Sequence, residues 1–164
     1  MSALDRFRLD GRCAMVTGGS RGLGRAMAQS LAEGGADLVL VGRDAEQLRQ
    51  AQQELAALGR RVEVVPADLE SPAGAQDMCA TVLAEHRPID ILVNNVGGRR
   101  INVATEDLAL DDWRRLMDLN LTSAFLCTKL IGGEVTLFTC TGSSVRCPPA
   151  FTATRTSPAF TGCR

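Results

Sequence analysis

A glycine-rich turn between an apolar run and a helical pattern constrains the fold of this 164-residue chain more than any other feature. The turn occupies residues 17–24. Residues 13–16 before it have the composition of a buried strand, and residues 25–32 after it have helical spacing. Glycines let the backbone approach a pyrophosphate, and a helix N-terminus supplies free N–H groups and the positive end of its dipole. We therefore predict a phosphate-binding turn. The residues predicted to contact the ligand are Gly18, Ser20, Arg21, Gly22, Leu23 and Gly24.

Strand and helix patterns alternate along most of the chain. Apolar runs predict strands at 13–17, 37–41, 62–66 and 89–94. Helical periodicity predicts helices at 23–33, 44–58, 71–87 and 110–131. Because repeated βα units build parallel sheets with right-handed crossovers, we predict an α/β fold of the doubly wound, Rossmann-like type. Residues 1–131 form the predicted dinucleotide-binding domain.

Residues 132–164 differ in composition from the rest of the chain. From Val135 onward there is no Asp, Glu or Lys, while three of the six cysteines and three of the six prolines lie there. Residues 135–140 have the composition of one further strand, but the prolines at 148, 149 and 158 argue against a continuous helix beyond it. Two interpretations stay open. The segment is either a disordered tail or sequence that was not selected to complete this fold, as after a change of reading frame.

Charge and hydropathy exclude several classes of function. The net charge of −1 offers no electrostatic basis for binding nucleic acid or an anionic membrane. No apolar run approaches the ~20 residues of a membrane span, and residues 1–10 lack the apolar core of a signal peptide. We therefore expect a cytoplasmic protein that binds neither nucleic acid nor membranes.

The six cysteines are predicted to be reduced and structural. Cys13 lies in a predicted strand, and Cys79 and Cys127 lie in predicted helices. No cysteine has metal-ligand spacing with a histidine, since His86 is the only histidine, and no metal site is predicted. His86 falls at the polar end of a predicted helix and is expected to be a solvated surface residue.

The end of the second predicted strand indicates which dinucleotide binds. In folds of this type an acid there binds the ribose 2′-hydroxyl of NAD(H), whereas an arginine accommodates the 2′-phosphate of NADP(H). Gly42 stands where the acid is expected and Arg43 follows it, with Arg21 as a second cation nearby. We therefore predict NADP(H) in preference to NAD(H). The alternative is that Arg43 only extends into solvent, and Asp44 is expected to cap the next helix.

Two further strand ends carry polar residues. Asp68 and Leu69 follow the third strand and either border an adenine ring or form a turn, and both interpretations stay open. An Asn-Asn-Val-Gly run follows the fourth strand. Its asparagines are expected to tie neighbouring strand ends together, and its glycine to leave room for the dinucleotide. The cofactor-binding residues predicted in this run are Asn94, Val96 and Gly97.

Together these residues resemble the classical short-chain dehydrogenase/reductase family over about residues 7–130. The Thr-Gly-x-x-x-Gly-x-Gly run at 17–24 is similar to the family's cofactor motif, and Asp68 to its adenine-pocket acid. The run at 94–97 is similar to its Asn-Asn-Ala-Gly motif, with Val96 in place of alanine. Asn120 matches the helix asparagine of the family's catalytic tetrad. The opening half is most similar to the gluconate dehydrogenase and 3-oxoacyl-carrier-protein reductase branches.

The resemblance implies NADP(H)-dependent hydride transfer with a small alcohol or carbonyl substrate. In the family a tyrosine exchanges the proton, a lysine four residues later lowers its pKa, a serine positions the substrate, and the asparagine holds a water. This chain contains no tyrosine, and its single lysine, Lys129, lies in the predicted helix that contains Asn120. In residues 151–155, Phe151 and Arg155 have the four-residue spacing of the family's tyrosine and lysine, but both of those residues are replaced. The candidate serine is Ser143, with Ser144 or Cys140 as alternatives.

Family members continue beyond the length of this chain, so the resemblance implies a sheet that is incomplete on its C-terminal side. The strand at 135–140 would then be an unprotected edge, and the apolar face of residues 116–130 would be uncovered. We predict weak stability, self-association, or both. Three functions stay open: an oxidoreductase of this family with impaired catalysis, a non-catalytic dinucleotide-binding module, and a truncated or frame-shifted product without independent function.

Overall fold

Five parallel strands form one sheet in the computed structural model, which describes residues 4–86, 88–98, 101–132 and 136–139. The strands in chain order are β1 (Cys13–Thr17), β2 (Asp37–Gly42), β3 (Val62–Pro66), β4 (Ile91–Asn94) and β5 (Thr136–Thr139). Their order across the sheet is β3-β2-β1-β4-β5. The predicted α/β, doubly wound architecture is confirmed. The domain boundary predicted at residue 131 stays a prediction.

Helices connect the strands along both faces of the sheet. They are α1 (Gly22–Glu33), α2 (Ala45–Ala56), α3 (Pro72–Glu85), α4 (Leu110–Met117) and α5 (Ser123–Ile131), with short 3₁₀ turns at Leu4–Phe7 and Thr105–Asp107. Asp44 caps α2 as predicted, because its carboxylate accepts hydrogen bonds from two backbone N–H groups of the first turn. Ser71 caps α3 in the same way. None of the helices in the described ranges is long and apolar enough to span a bilayer.

The helix predicted over 110–131 is interrupted. Asp118–Thr122 forms a π-helical segment between α4 and α5. Asn120, at its centre, donates from Nδ2 to the Leu116 carbonyl oxygen at 2.8 Å. This side-chain bond competes for the carbonyl that would serve the regular helical ladder. The predicted ends at Leu110 and Ile131 are observed, but the π-helical segment was not predicted, since apolar periodicity does not register one wide turn inside a long helix.

Alternate strand residues serve two separate cores. On one face Met15 and Val39 pack in the cluster that includes residues of α3 and α5. On the other face Val16 and Leu40 pack in the cluster formed with α1 and α2. Because helices cover both faces, every residue of β1 is buried. This double burial explains why the strands of this sheet have continuous rather than alternating apolar sequences.

The three cysteines within the described residues are buried and unpaired by disulfides, as predicted. Cys79 on α3 and Cys127 on α5 form a hydrogen bond with one another. That bond and burial both raise the pKa of the Cys127 thiol above its ordinary value, so the thiol stays protonated. The cysteines at 140, 147 and 163 lie outside the described residues.

His86 is not a solvated surface residue, and that prediction was wrong. Only 12% of its side chain is exposed, and its Nδ1 contacts Oε2 of Glu63 on β3. His86 is the residue directly after α3, and α3 ends against the strand at the edge of the described sheet. A polar helix end therefore meets a protein surface here instead of water.

Candidate cofactor site

A cavity of about 410 Å³ opens at the carboxyl ends of β1, β2 and β4. It lies where the strand order reverses, because β1 sits between β2 and β4. Open α/β sheets bind their ligands at this position. Nine of the predicted cofactor residues line the cavity: Gly18, Ser20, Arg21, Gly22, Arg43, Asp68, Leu69, Val96 and Gly97.

The predicted set of cofactor residues and the observed cavity lining differ in both directions. Among the described residues, Leu23, Gly24 and Asn94 do not line the cavity. Six lining residues were not among the predicted cofactor residues: Gly42, Asp44, Gln47, Ala67, Asn95 and Leu119. Gln47 lies in the first turn of α2, close in sequence to Arg43, and Leu119 directly precedes Asn120. This closeness to predicted site residues was the only sequence signal that could have identified them.

The glycine-rich turn has the backbone geometry that a phosphate cradle needs. Gly18 and Gly22 have φ values of 69° and 56°, in the left-handed region that favours glycine. A Cβ atom on Gly24 would overlap the Gly18 carbonyl oxygen and the Asn95 amide. Gly24 therefore permits α1 to begin close against the turn, which aims the N-terminus of α1 at the cavity.

Two arginines and a glycine define the end of the cavity near β2. Arg21 and Arg43 both line it. A Cβ atom on Gly42 would lie 3.5 Å from Oγ of Ser20, an ordinary contact distance, so this position has space but no carboxylate. Arg43 is not free in solvent, since its Nη1 lies 3.0 Å from Oε1 of Glu70. The arrangement offers cations where a ribose 2′-substituent is expected.

Hydrogen bonds tie the ends of β1 and β4 together, as predicted for the asparagine run. Asn95 donates from Nδ2 to the Thr17 carbonyl oxygen at 3.0 Å. The Thr17 hydroxyl accepts from the backbone N–H of Asn95 at 2.9 Å and of Val96 at 3.1 Å. Asn94 instead faces α5, where its Nδ2 donates to Oγ1 of Thr128.

Asp68 forms the turn that was one of its two interpretations, and its role beside an adenine ring stays a prediction. Its Oδ1 accepts a hydrogen bond from the Glu70 backbone N–H at 3.1 Å, which is a turn contact. The residue also lines the cavity. The turn therefore fixes a carboxyl group at the cavity wall.

Asn120 clamps the loop that follows β4. Its Oδ1 accepts from the Gly98 N–H at 2.7 Å, and its Nδ2 donates to the Gly98 carbonyl oxygen at 3.2 Å. A Cβ atom on Gly97 would lie 2.8 Å from that Oδ1, so the loop passes Asn120 only because residue 97 is glycine. Lys129 lies on α5 with its Nζ over the Phe125 ring. Ser143, Ser144, Cys140 and residues 151–155 fall outside the described residues.

The family model of the short chain dehydrogenases matches residues 12–135. This chain belongs to the short-chain dehydrogenase family. Members of this family are NAD(P)-dependent oxidoreductases. Within the described residues of this short-chain dehydrogenase, no three His, Cys, Asp or Glu side chains are placed to hold a metal ion together.

Relatives in both branches suggested by the sequence were found. The chain is 42% identical over 121 residues to the rhamnolipids biosynthesis 3-oxoacyl-(acyl-carrier-protein) reductase of Pseudomonas aeruginosa, covering 74% of this chain and 46% of that protein. It is 39% identical over 125 residues to gluconate 5-dehydrogenase of Gluconobacter oxydans, covering 76% and 48%. The solved Pseudomonas aeruginosa RhlG/NADP active-site complex is similar at 41% identity and a TM-score of 0.69, with 76% and 48% covered. The chain thus spans about half the length of these relatives.

Proposed function

We propose that this chain binds NADP(H) in the cavity at the ends of β1, β2 and β4. The observation that carries the proposal is that Arg21 and Arg43 both line the cavity, together with Gly42 in the position of the ribose-binding acid. A guanidinium offers paired N–H donors that match a phosphate group. The similar RhlG structure was solved with NADP. NAD(H) is the weaker ligand in this proposal.

The cavity residues have separate tasks in holding the dinucleotide. The turn at Gly18–Gly22 and the start of α1 would hold the pyrophosphate, and Asp68 with Leu69 would border the adenine. Gly97, next to the Gly98 backbone that Asn120 holds, would leave room on the nicotinamide side of the site. The bound nicotinamide would supply hydride chemistry with a small alcohol or carbonyl compound.

We further propose that catalysis by these 164 residues is impaired. The sequence contains no tyrosine to exchange the substrate proton, and its single lysine lies on α5 with its ammonium over Phe125. Asn120 and Ser143 remain the candidate catalytic residues. A non-catalytic dinucleotide-binding module is therefore the second candidate function, and a truncated or frame-shifted product without independent function is the third.

If Arg43 binds the 2′-phosphate, removing its side chain should weaken binding of NADPH but not of NADH. Arg43→Ala should weaken NADPH binding about tenfold, since a hydrogen-bonded contact to a charged group contributes roughly 1.5–3 kcal/mol, and should leave NADH binding unchanged. Titration of cofactor fluorescence measures both. Arg49→Ala is the matched control, because Arg49 is an exposed arginine on α2 that pairs with Glu46 outside the cavity lining.

Three outcomes separate the candidate functions. If the unaltered chain binds neither NADPH nor NADH, both binding proposals fail and the product without independent function remains. If it binds NADPH but oxidises or reduces no compound in a panel of small alcohols and carbonyls, the binding module is supported. Turnover of any panel member would exclude both the non-catalytic module and the product without independent function.

We also propose that the chain self-associates and resides in the cytoplasm. Large apolar side chains on α4, α5 and the π-helical segment are exposed, including Trp113, Leu121 and Phe125. Burying such a surface against a second copy would remove apolar area from water. The buried, unoxidised thiols of Cys79 and Cys127 support a reducing compartment.

A further inference from the structure

Glu70 bridges two arginines at the rim of the cofactor cavity. Its Oε1 lies 3.0 Å from Nη1 of Arg43, and its Oε2 lies 3.6 Å from Nη2 of Arg115 on α4. Arg43 lines the cavity, whereas Glu70 and Arg115 do not. The Glu70 backbone N–H donates to Oδ1 of Asp68, which holds the residue in the turn after β3. The Glu70 carboxylate therefore lies outside the cavity and contacts Arg43, the residue proposed to bind the 2′-phosphate.

We propose that Glu70 competes with the 2′-phosphate of NADP(H) for Arg43 and so determines how strongly this chain prefers NADP(H) over NAD(H). The inference rests on the proposed function. An N–H group of Arg43 that donates to Glu70 is not available to the phosphate. The carboxylate also places a negative charge beside the position that the doubly charged phosphate must reach, and like charges this close repel.

The ion pair is weak enough to be exchanged when a ligand binds. Nearly half of the Arg43 side chain and more than a quarter of the Glu70 side chain are exposed to solvent. An ion pair with this exposure changes an equilibrium constant, such as that for ligand binding, by only about two- to fivefold. A charge-assisted contact between a guanidinium and a phosphate is stronger, because two parallel hydrogen bonds form. Arg43 can therefore leave Glu70 for the phosphate, at a modest loss of affinity.

Arg115 moderates this competition. It contacts the second oxygen of Glu70 and lies 3.8 Å from Asp112 through its other terminal nitrogen. A carboxylate shared between two guanidinium groups holds each of them less strongly than a carboxylate paired with one. Arg115 thus draws Glu70 away from Arg43, and the selectivity for NADP(H) depends on a residue of α4 that does not line the cavity.

Two small probes isolate the effect of the 2′-phosphate. 2′,5′-ADP and 5′-AMP differ only in that group, and both bind without any catalytic step. Glu70→Gln should bind 2′,5′-ADP about two- to fivefold more tightly than the unaltered chain, with unchanged affinity for 5′-AMP. Isothermal titration calorimetry measures both constants. Asp111→Asn is the control. Asp111 forms an exposed ion pair with Arg114 on α4, so this variant also removes one carboxylate and changes the net charge by the same amount.

A double-mutant cycle tests the role of Arg115. Arg115→Ala should weaken 2′,5′-ADP binding when Glu70 is present and have a smaller effect in the Glu70→Gln background, since the two residues act through one contact. Weaker or unchanged 2′,5′-ADP binding by Glu70→Gln would overturn the inference while leaving the proposed function intact. If the unaltered chain binds 2′,5′-ADP no better than 5′-AMP, the proposed NADP(H) preference fails first. Thermal melts of each variant check that folding is unchanged.

Discussion

Thr17 shows how much of this site depends on one small side chain. Its hydroxyl accepts hydrogen bonds from the N–H groups of Asn95 and Val96 and donates to the Val93 carbonyl oxygen. Only 2% of the residue is exposed, so water cannot replace these partners. The loop after β4 is therefore held to the end of β1 at the point where the glycine-rich turn begins.

Thr17→Val should lower the free energy of unfolding by about 1–3 kcal/mol, because the variant keeps the shape of the side chain but leaves N–H groups without an acceptor. Urea denaturation followed by circular dichroism measures the change. Thr81→Val is the matched control, since the Thr81 hydroxyl bonds only to the carbonyl oxygen one turn earlier in α3 and its loss is expected to cost about 0.5 kcal/mol or less. Equal losses in the two variants would contradict the role given to Thr17.

At the scale of single residues, local chemistry was readable from the sequence wherever the partner lay nearby in the chain. Asp44 caps the helix that starts at the next residue, and this cap was predicted correctly. His86 was not, because its partner Glu63 lies 23 residues away on a different element. Predicting that contact requires knowing that α3 ends beside β3.

Helices and strands were predictable as elements because burial imposes a period on the sequence. The four strands predicted in residues 13–94 and the helices between them lie within two residues of their predicted ends. The π-helical segment at Asp118–Thr122 was missed, since it depends on the hydrogen bond from Asn120 to Leu116. An element's type follows from its apolar pattern, whereas its irregularities follow from individual polar contacts.

The contact between α1 and α2 carries a prediction for acid pH. Hydrogen bonding to Arg25, with a further bond to Gln50, lowers the pKa of Glu54 below its ordinary value. A carboxyl group with a depressed folded-state pKa stabilises the fold above its unfolded pKa, and that contribution disappears as pH falls through the folded pKa. NMR titration of Glu54 should show the depressed pKa, and Arg25→Ala should raise it toward the ordinary value. Arg49→Ala should leave the pKa of Glu54 unchanged, and a similar rise there would contradict the assignment.

At the scale of the whole molecule, the strand order decides where the site lies. The sequence predicted the parallel sheet, but the cavity exists because β2 and β4 flank β1, so that their following loops diverge. The same order leaves β5 at the edge of the described sheet and the outer surface of α4 and α5 without a covering element among the described residues.

Self-association through that surface is the expected consequence. Sedimentation velocity should show a concentration-dependent increase in mass, and the double variant Leu121→Ser with Phe125→Ser should shift the protein toward monomer by removing apolar area from the contact. Phe7→Ser is the control, because Phe7 is equally aromatic and more exposed but lies on the N-terminal 3₁₀ turn. A monomer at all concentrations, or an equal effect of Phe7→Ser, would contradict the proposed contact surface.

The sequence by itself determined the βα alternation, the glycine-rich turn, the cap of α2 and nine of the residues that line the cavity. Each of these depends on a local pattern, such as the period of burial or the φ values that only glycine adopts easily. Only the tertiary structure decided which of those residues meet. Arg43 and Glu70 are 27 residues apart and Arg115 lies on α4, yet Glu70 contacts both arginines, since the parallel strands β2 and β3 end at the same edge of the sheet. Contacts between distant residues depend on strand order and packing, which no short stretch of sequence encodes.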